Sequence, residues 1–217
     1  MTPHEARALL AALPPARERW LAQAVACVDA RSVWLAGSLG RGQGDEWSDV
    51  DLIVVDGAPI LEGALVTVRN PGNGPVGGGY VGALYDLGPL PLWVDWYTWP
   101  ASRPVPSDAR ALRGTGAQGT LDLRQSLDQI GRGRPDPHPD PVPDPEEFVL
   151  AMLPLAAKFV ARGMLEHAAG MAAMLGAPPD PAPLERLRSL LSSVLGHAET
   201  RRLVHRYLEV VAAITRD

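Results

Sequence analysis

Cys27 is the only cysteine among 217 residues. One thiol cannot form an internal disulfide or a cysteine-based zinc cluster, and in its helical-looking setting Cys27 is expected to be buried and inert. Lysine is just as scarce: Lys158 is the only one among 20 basic residues, and the others are arginines. No apolar run approaches the roughly 20 residues that a membrane-spanning helix needs. The N-terminus has no basic segment leading into an apolar run, so no signal peptide is read and a cytoplasmic protein is expected. A basic stripe able to follow a nucleic-acid backbone is also missing. The formal charge of −5 therefore favours a small-molecule or protein substrate over nucleic acid, and suits a cationic one.

What is present is ordinary in bulk: 46% apolar and 21% charged residues describe a globular chain able to bury a core as one large domain or two small ones. The local pattern is more informative. Thr2-Pro3-His4-Glu5 has the form of a helix start, with a stop expected at Pro14-Pro15 and a second helix from Ala16 to Ala30. The apolar run Ser32 to Ala36 reads as a buried strand that ends at Gly37-Ser38, and Val50 to Val55 reads as a second strand beyond a glycine-rich loop. Leu65 to Arg69 reads as a third. Residues 70–79 are turn-rich and contain G-x-G-x-x-G matches at Gly72, Gly74, Gly77 and at Gly77, Gly79, Gly82. Neither match sits between a strand and a helix as a dinucleotide site requires, so the run reads as a mobile glycine loop.

Asp49 and Asp51 are two residues apart at the start of the second strand, so both carboxylates point to one face. Adjacent carboxylates repel, and a cation is the natural reason to place them together. Backbone amides of the preceding glycine-rich loop can approach an anion such as phosphate. Tyr80 to Asp86 and Leu92 to Trp99 read as a hairpin whose second strand carries Asp95 among aromatic residues. A carboxylate there is costly unless paired or bound to metal; Asp86, at a strand end, is the competing acid.

Gly37-Ser38 followed by Ser48-Asp49-Val50-Asp51-Leu52 resembles the signature of the DNA polymerase β-like nucleotidyltransferase superfamily. The fuller Gly37-Ser38-Leu39-Gly40-Arg41-Gly42 is similar to its small-molecule and antitoxin branches. The resemblance implies a short helix after Gly37-Ser38, a third acid on a later strand, matched by Asp95, and Mg²⁺, two ions being expected, held by Asp49, Asp51 and Asp95. ATP or another nucleoside triphosphate would be the co-substrate, with Gly37, Ser38 and Arg41 holding its phosphates.

Residues 99–113 read as irregular, 114–122 as glycine-rich, and 122–130 as a short helix. The run from Arg132 to Pro145 has prolines at nearly every second position and reads as an extended connector, with His138 as part of a solvated linker. From Glu146 the apolar period becomes that of helices, with stripes at Phe148, Met152, Leu155, Phe159; Met164, Ala168, Met171, Leu175; Leu184, Leu187, Leu191, Val194; and Leu203, Tyr207, Val211, Ile214. Four such segments predict a bundle. The fold class expected is thus α/β (α+β): a mixed-sheet nucleotidyltransferase domain over 1–134, a linker over 135–145 and a helical bundle over 146–217. The segment around Lys158 resembles the helical domain of small-molecule nucleotidyltransferases, in which a lysine reaches the phosphates from across an interdomain cleft. Glu146, Glu147 and Glu166 are candidates for a general base. The expected reaction moves AMP from ATP onto a hydroxyl of a small acceptor, such as an aminoglycoside- or lincosamide-like antibiotic, and releases pyrophosphate. The alternatives are an antitoxin-type transferase that adenylylates a partner protein and a non-catalytic nucleotide-binding sensor.

Overall fold

The computed structural model describes residues 1–131, 144–178 and 182–215. His138 and the expected connector up to position 143 lie outside them. The chain divides into two compact units, one of Arg17–Tyr85 with Leu92–Val142, the other of Met1–Ala16, Asp86–Pro91 and Pro143–Asp217.

The first unit is built on a mixed sheet with six strands among the described residues: β1 (Ser32–Ala36), β2 (Val50–Val55), β3 (Ala64–Arg69), β4 (Gly79–Asp86), β5 (Pro91–Trp99) and β6 (Arg110–Arg113). Their order is β3-β4-β5-β2-β1-β6. β2 runs antiparallel to β1 but parallel to β5, which puts the change of direction in the middle of the sheet. Helices α1 (Pro3–Cys27), α2 (Gly37–Gly40) and α3 (Leu123–Gly131) complete the elements that run in or through this unit.

Register sets what each face carries. Ser32, Val55 and Trp99 form one row across β1, β2 and β5; Trp34, Ile53 and Tyr97 form the next; Ala36, Asp51 and Asp95 form the third. Val55 and Trp99 of the first row and all of the second join a buried cluster with Leu123, against which Leu127 packs, so α3 closes this face. The opposite face carries the row Leu35, Leu52, Trp96, all buried. There Trp20 of α1 stacks its ring 4.8 Å from Tyr85 and meets Trp96 edge-on at 6.1 Å. The alternation of the strands thus supplies two apolar faces and one row of acids.

Three local expectations are corrected. α1 does not stop at Pro14-Pro15 but runs unbroken through both. Each proline removes an N–H donor and crowds a carbonyl one turn back. Leu13, Ala16 and Arg17, which flank the pair, are buried, and that burial overrides local propensity. Cys27 is exposed rather than buried, because the inward side of α1 at this point is set by Ala24 and Val28. The stretch 99–113 is not wholly irregular: β6 pairs with β1 along the sheet edge. Its sequence, Arg-Ala-Leu-Arg, has no β-branched or aromatic residue and gives no strand signal.

The second unit contains α4 (Pro145–Ala161), α5 (Leu165–Met174), α6 (Pro183–Ser193) and α7 (Ala198–Ile214). Asp144 caps α4 by accepting from the amides of Glu146 (2.9 Å) and Glu147 (3.3 Å). α4 touches each of the other three helices, and that explains its composition. Leu150, Ala151, Leu153, Ala156 and Ala157 are fully buried, so the helix is apolar on nearly every side. The expected single stripe is replaced: Phe148, Leu155 and Phe159 are only half-buried. In the same unit Arg206 donates to the carbonyls of Gly88 (2.9 Å) and Pro89 (3.4 Å), holding the turn between β4 and β5. Among the described residues no helix is long and apolar enough to cross a membrane.

α1 has no basic residue in its last turn. Arg113 of β6 fills that role, donating to the carbonyls of Val25 (2.8 Å), Val28 and Ala30 (3.2 Å) beyond and within the helix end. Charged donors to orphan carbonyls are worth about 1.5–3 kcal/mol. Arg113→Ala is therefore expected to lower unfolding stability by about 2 kcal/mol, measured by denaturant titration.

Candidate active site

The third row of the sheet begins with a backbone feature. Gly37 follows β1 at φ +63°, and a Cβ placed there would lie 2.1 Å from Oδ2 of Asp51. A side chain is excluded twice, by conformation and by the carboxylate seated against the backbone. From Gly37 the chain turns through the four residues of α2 into the loop 41–49.

That loop is pinned from inside. Ser48, 4% exposed, accepts from the Asp45 amide (2.9 Å) and donates to the Asp45 carboxylate (2.8 Å). The hydroxyl of Ser38 lies 3.2 Å from that of Ser48 and bonds to it. Arg17 of α1, 7% exposed, donates to the carbonyls of Ser48 (2.8 Å) and Asp45 (3.2 Å). Burial pulls the Arg17 pKa below the ordinary arginine range, opposed by the nearby charges of Asp45, Glu18, Asp49 and Glu46. A buried guanidinium thus fixes the segment that delivers Asp49 to the sheet. Nothing in the sequence singled out Arg17, because one arginine in an amphipathic helix looks like a solvated one.

Asp51 and Asp95 stand abreast as register partners on the parallel strands β2 and β5. Asp49 immediately precedes β2, and all three acids are half-buried. Oδ1 of Asp95 accepts from the hydroxyl of Tyr80 (2.6 Å) and from Nε1 of Trp93 (2.8 Å). Both donors fit because Gly82 lacks a side chain: a Cβ there would be 2.1 Å from Cζ2 of Trp93 and 2.8 Å from the Tyr80 hydroxyl. Gly82 was legible only as one member of a misleading G-x-G-x-x-G string; its work is to admit an indole. The competing acid, Asp86, is exposed and accepts from the Gly88 amide (2.7 Å) as a turn cap.

Beside Asp51 opens a cavity of about 520 Å³, lined by Gly37, Arg41, Asp51, Tyr97, Asp108 and residues of α3. Arg41 faces it in an ion pair with Asp108 (2.8 Å) and bonds Gln43 through Nε (3.2 Å). The other oxygen of Asp108 accepts from the Leu123 amide at the start of α3 (2.8 Å). Asp122 caps the same helix, accepting from the Gln125 amide (2.7 Å) while the Gln125 side chain accepts from the Asp122 amide (3.2 Å).

Gly37, Ser38, Arg41, Asp49, Asp51 and Asp95 thus belong to one unit. Lys158 belongs to the other, on α4, where it is 7% exposed rather than solvated. Of the candidate bases, Glu146 accepts from the amides of Leu195 (3.0 Å) and Gly196 (2.8 Å), and Glu147 accepts from that of His197. Both hold a loop of the helical unit. Glu166 is exposed in the first turn of α5.

The donor set of the acid row is all carboxylate oxygen, the hard kind that suits Mg²⁺. Among the described residues no group of three or more His, Cys, Asp or Glu is gathered so as to hold a metal by itself. Mg²⁺ commonly takes only one or two protein carboxylates and completes its shell with water and substrate phosphate, so the acid row fits that ion. No protein-family model matches the chain, and no curated protein matches it in sequence.

Burial, followed by the charge and hydrogen bond of Asp95, pushes the Tyr80 hydroxyl far above its ordinary value of 10. Burial with the charges of Asp95, Asp51 and Asp49 does the same to Tyr97. The sign follows from linkage. Below pH 10 both phenols are protonated in folded and unfolded chains alike, and their contribution to stability is intact. As pH rises above that value only the unfolded chain releases the protons, and the contribution is lost. Of the four tyrosines, Tyr80 and Tyr97 are expected to stay silent in a tyrosinate absorbance titration through about pH 10 while the protein is folded. The double variant Tyr80→Phe/Tyr97→Phe should therefore reproduce the wild-type titration curve. A curve reduced by two tyrosines would contradict the assignment.

Gly82→Val is expected to force the Trp93 indole away from Asp95 and to lower stability by about 1–3 kcal/mol, again by denaturant titration. Trp93→Phe, which keeps the ring but removes the donor, should cost less.

Proposed function

We propose that the protein is a nucleotidyltransferase that moves a nucleoside monophosphate, AMP from ATP, onto a hydroxyl of a small molecule and releases pyrophosphate. The observation that carries this reading is Asp51 abreast of Asp95 on parallel strands, with the backbone of Gly37 seated on Asp51. It is supported by the motif resemblance and by a cavity that Gly37, Arg41 and Asp51 share.

Asp49, Asp51 and Asp95 would hold Mg²⁺, which when bound offsets phosphate charge and acidifies a coordinated hydroxyl. The chain's own residues account for the rest. The hydroxyl of Ser38 and the amides that follow Gly37 bind phosphate oxygens, and Arg41, exchanging its bond to Asp108 for the triphosphate, offsets charge that develops at the α-phosphorus. Asp95 takes the proton of the acceptor hydroxyl. The acceptor oxygen forms a bond to the α-phosphorus as the bond from that phosphorus to the bridging oxygen breaks, and pyrophosphate leaves with that electron pair. Tyr80 and Trp93, donating to Oδ1 of Asp95, hold its carboxylate in one orientation.

The acceptor is expected to be polar and cationic, since the acids of the lining, Asp51, Asp108, Asp122 and Asp128, outnumber its arginines, Arg41 and Arg124. Asp49→Asn together with Asp51→Asn is expected to reduce Mg²⁺-dependent ATP turnover at least about a thousandfold, the rate equivalent of several kcal/mol of charge stabilisation. Turnover that survived the double change would refute the proposal.

A further inference from the structure

The helical unit has a second concave surface, of different character. A cavity of about 540 Å³ opens between α6 and α7, with Arg188, Arg201, Arg202, His205 and Glu209 among its lining residues. The single acid is already used: Glu209 pairs with Arg188 at 2.6 Å. Arg201 and Arg202 are left as two guanidinium groups with no acid of the lining against them. Nε of Arg201 is buried and has no hydrogen-bond partner among the described residues, and a buried orphan donor calls for an explanation. α7 begins at the same place without a side-chain cap: His197 makes no capping bond, and Ala198 lines the cavity.

Two guanidinium groups with no acid of the lining against them, one carrying a buried orphan N–H, favour negative charge in the cavity. We infer that this cavity is a binding site for a phosphomonoester, a small molecule carrying one phosphoryl group. The charge balance selects that class. A phosphomonoester brings between about −1.5 and −2 at neutral pH, which matches two arginines, and their planar forks suit its oxygens. The volume lies within the usual range for small-molecule sites and exceeds what a free phosphate fills. Leu191 and Leu208, which also line it, offer apolar surface to an organic body. The inference does not rest on nucleotidyl transfer and concerns α6 and α7 alone.

The carboxylates of Glu146 and Glu147, which accept from the amides of Leu195, Gly196 and His197 ahead of α7, are not among the residues that line this cavity.

The test is an amide NMR titration of the full chain without Mg²⁺, using inorganic phosphate, glycerol phosphate, and chloride at matched ionic strength. Saturable shifts are expected over Ala198–His205 with both phosphates, tighter with glycerol phosphate and absent with chloride. Arg201→Gln with Arg202→Gln should weaken binding at least about tenfold, the loss of roughly one charge-assisted bond. Arg202→Gln alone, at an exposed position, keeps the fold and should weaken it at least about threefold, on the same scale. The inference is overturned if chloride gives the same shifts, if neither phosphate saturates, or if the Arg202→Gln protein binds as the wild type does. It is also overturned if glycerol phosphate binds no better than inorganic phosphate.

Discussion

Two carboxylates side by side on neighbouring strands repel each other, and the sheet unit is arranged so that they stay side by side. The parallel pairing of β2 with β5 sets Asp51 beside Asp95. Everything around the pair limits where either can go. The backbone of Gly37 leaves no room behind Asp51, and the Tyr80 hydroxyl and Trp93 indole draw Asp95 by one oxygen. The two apolar rows beneath them, closed by α3, keep the strands in register. A fixed pair of half-buried acids is a standing electrostatic cost, and in the function proposed above a cation shared with phosphate would convert that cost into binding.

The loop before Asp49 shows the same logic at longer range. Its shape depends on one buried arginine from α1 and on a serine that bonds both amide and carboxylate of Asp45. Arg17 therefore links a helix on one face of the sheet to the chain that delivers an acid to the other face. Asp108 joins two elements in a similar way, one oxygen on Arg41 and the other on the first amide of α3. In the helical unit the dependence is on α4, whose contact with three neighbours explains why almost none of its surface is polar.

Strands β1, β2 and β5 were legible because alternation and β-branched or aromatic residues mark them, and their faces followed from a period of two. Asp51 and Asp95 were legible as acids in apolar strands, where charge is out of place, and Asp49 by its spacing of two from Asp51. The parts that were not legible depend on contacts distant in sequence. Arg113 caps a helix that ended 86 positions earlier by its count from Cys27, and its segment has no strand propensity of its own. Pro14-Pro15 reads as a stop in isolation, and only burial of its neighbours shows otherwise. Gly82 reads as turn chemistry until the indole it admits is seen. Lys158 stood out as the only lysine, but composition does not reveal that it is buried.

The central claim is that the acid pair serves transfer at the α-phosphorus. Incubation with Mg²⁺, a panel of hydroxylated cationic acceptors and ATP labelled at either the α- or the γ-phosphate distinguishes this from other phosphate chemistry. The account predicts that α-label appears in the modified acceptor while γ-label leaves in pyrophosphate. Transfer of γ-label to the acceptor, or α-label transfer that persists in Asp51→Asn, would contradict it.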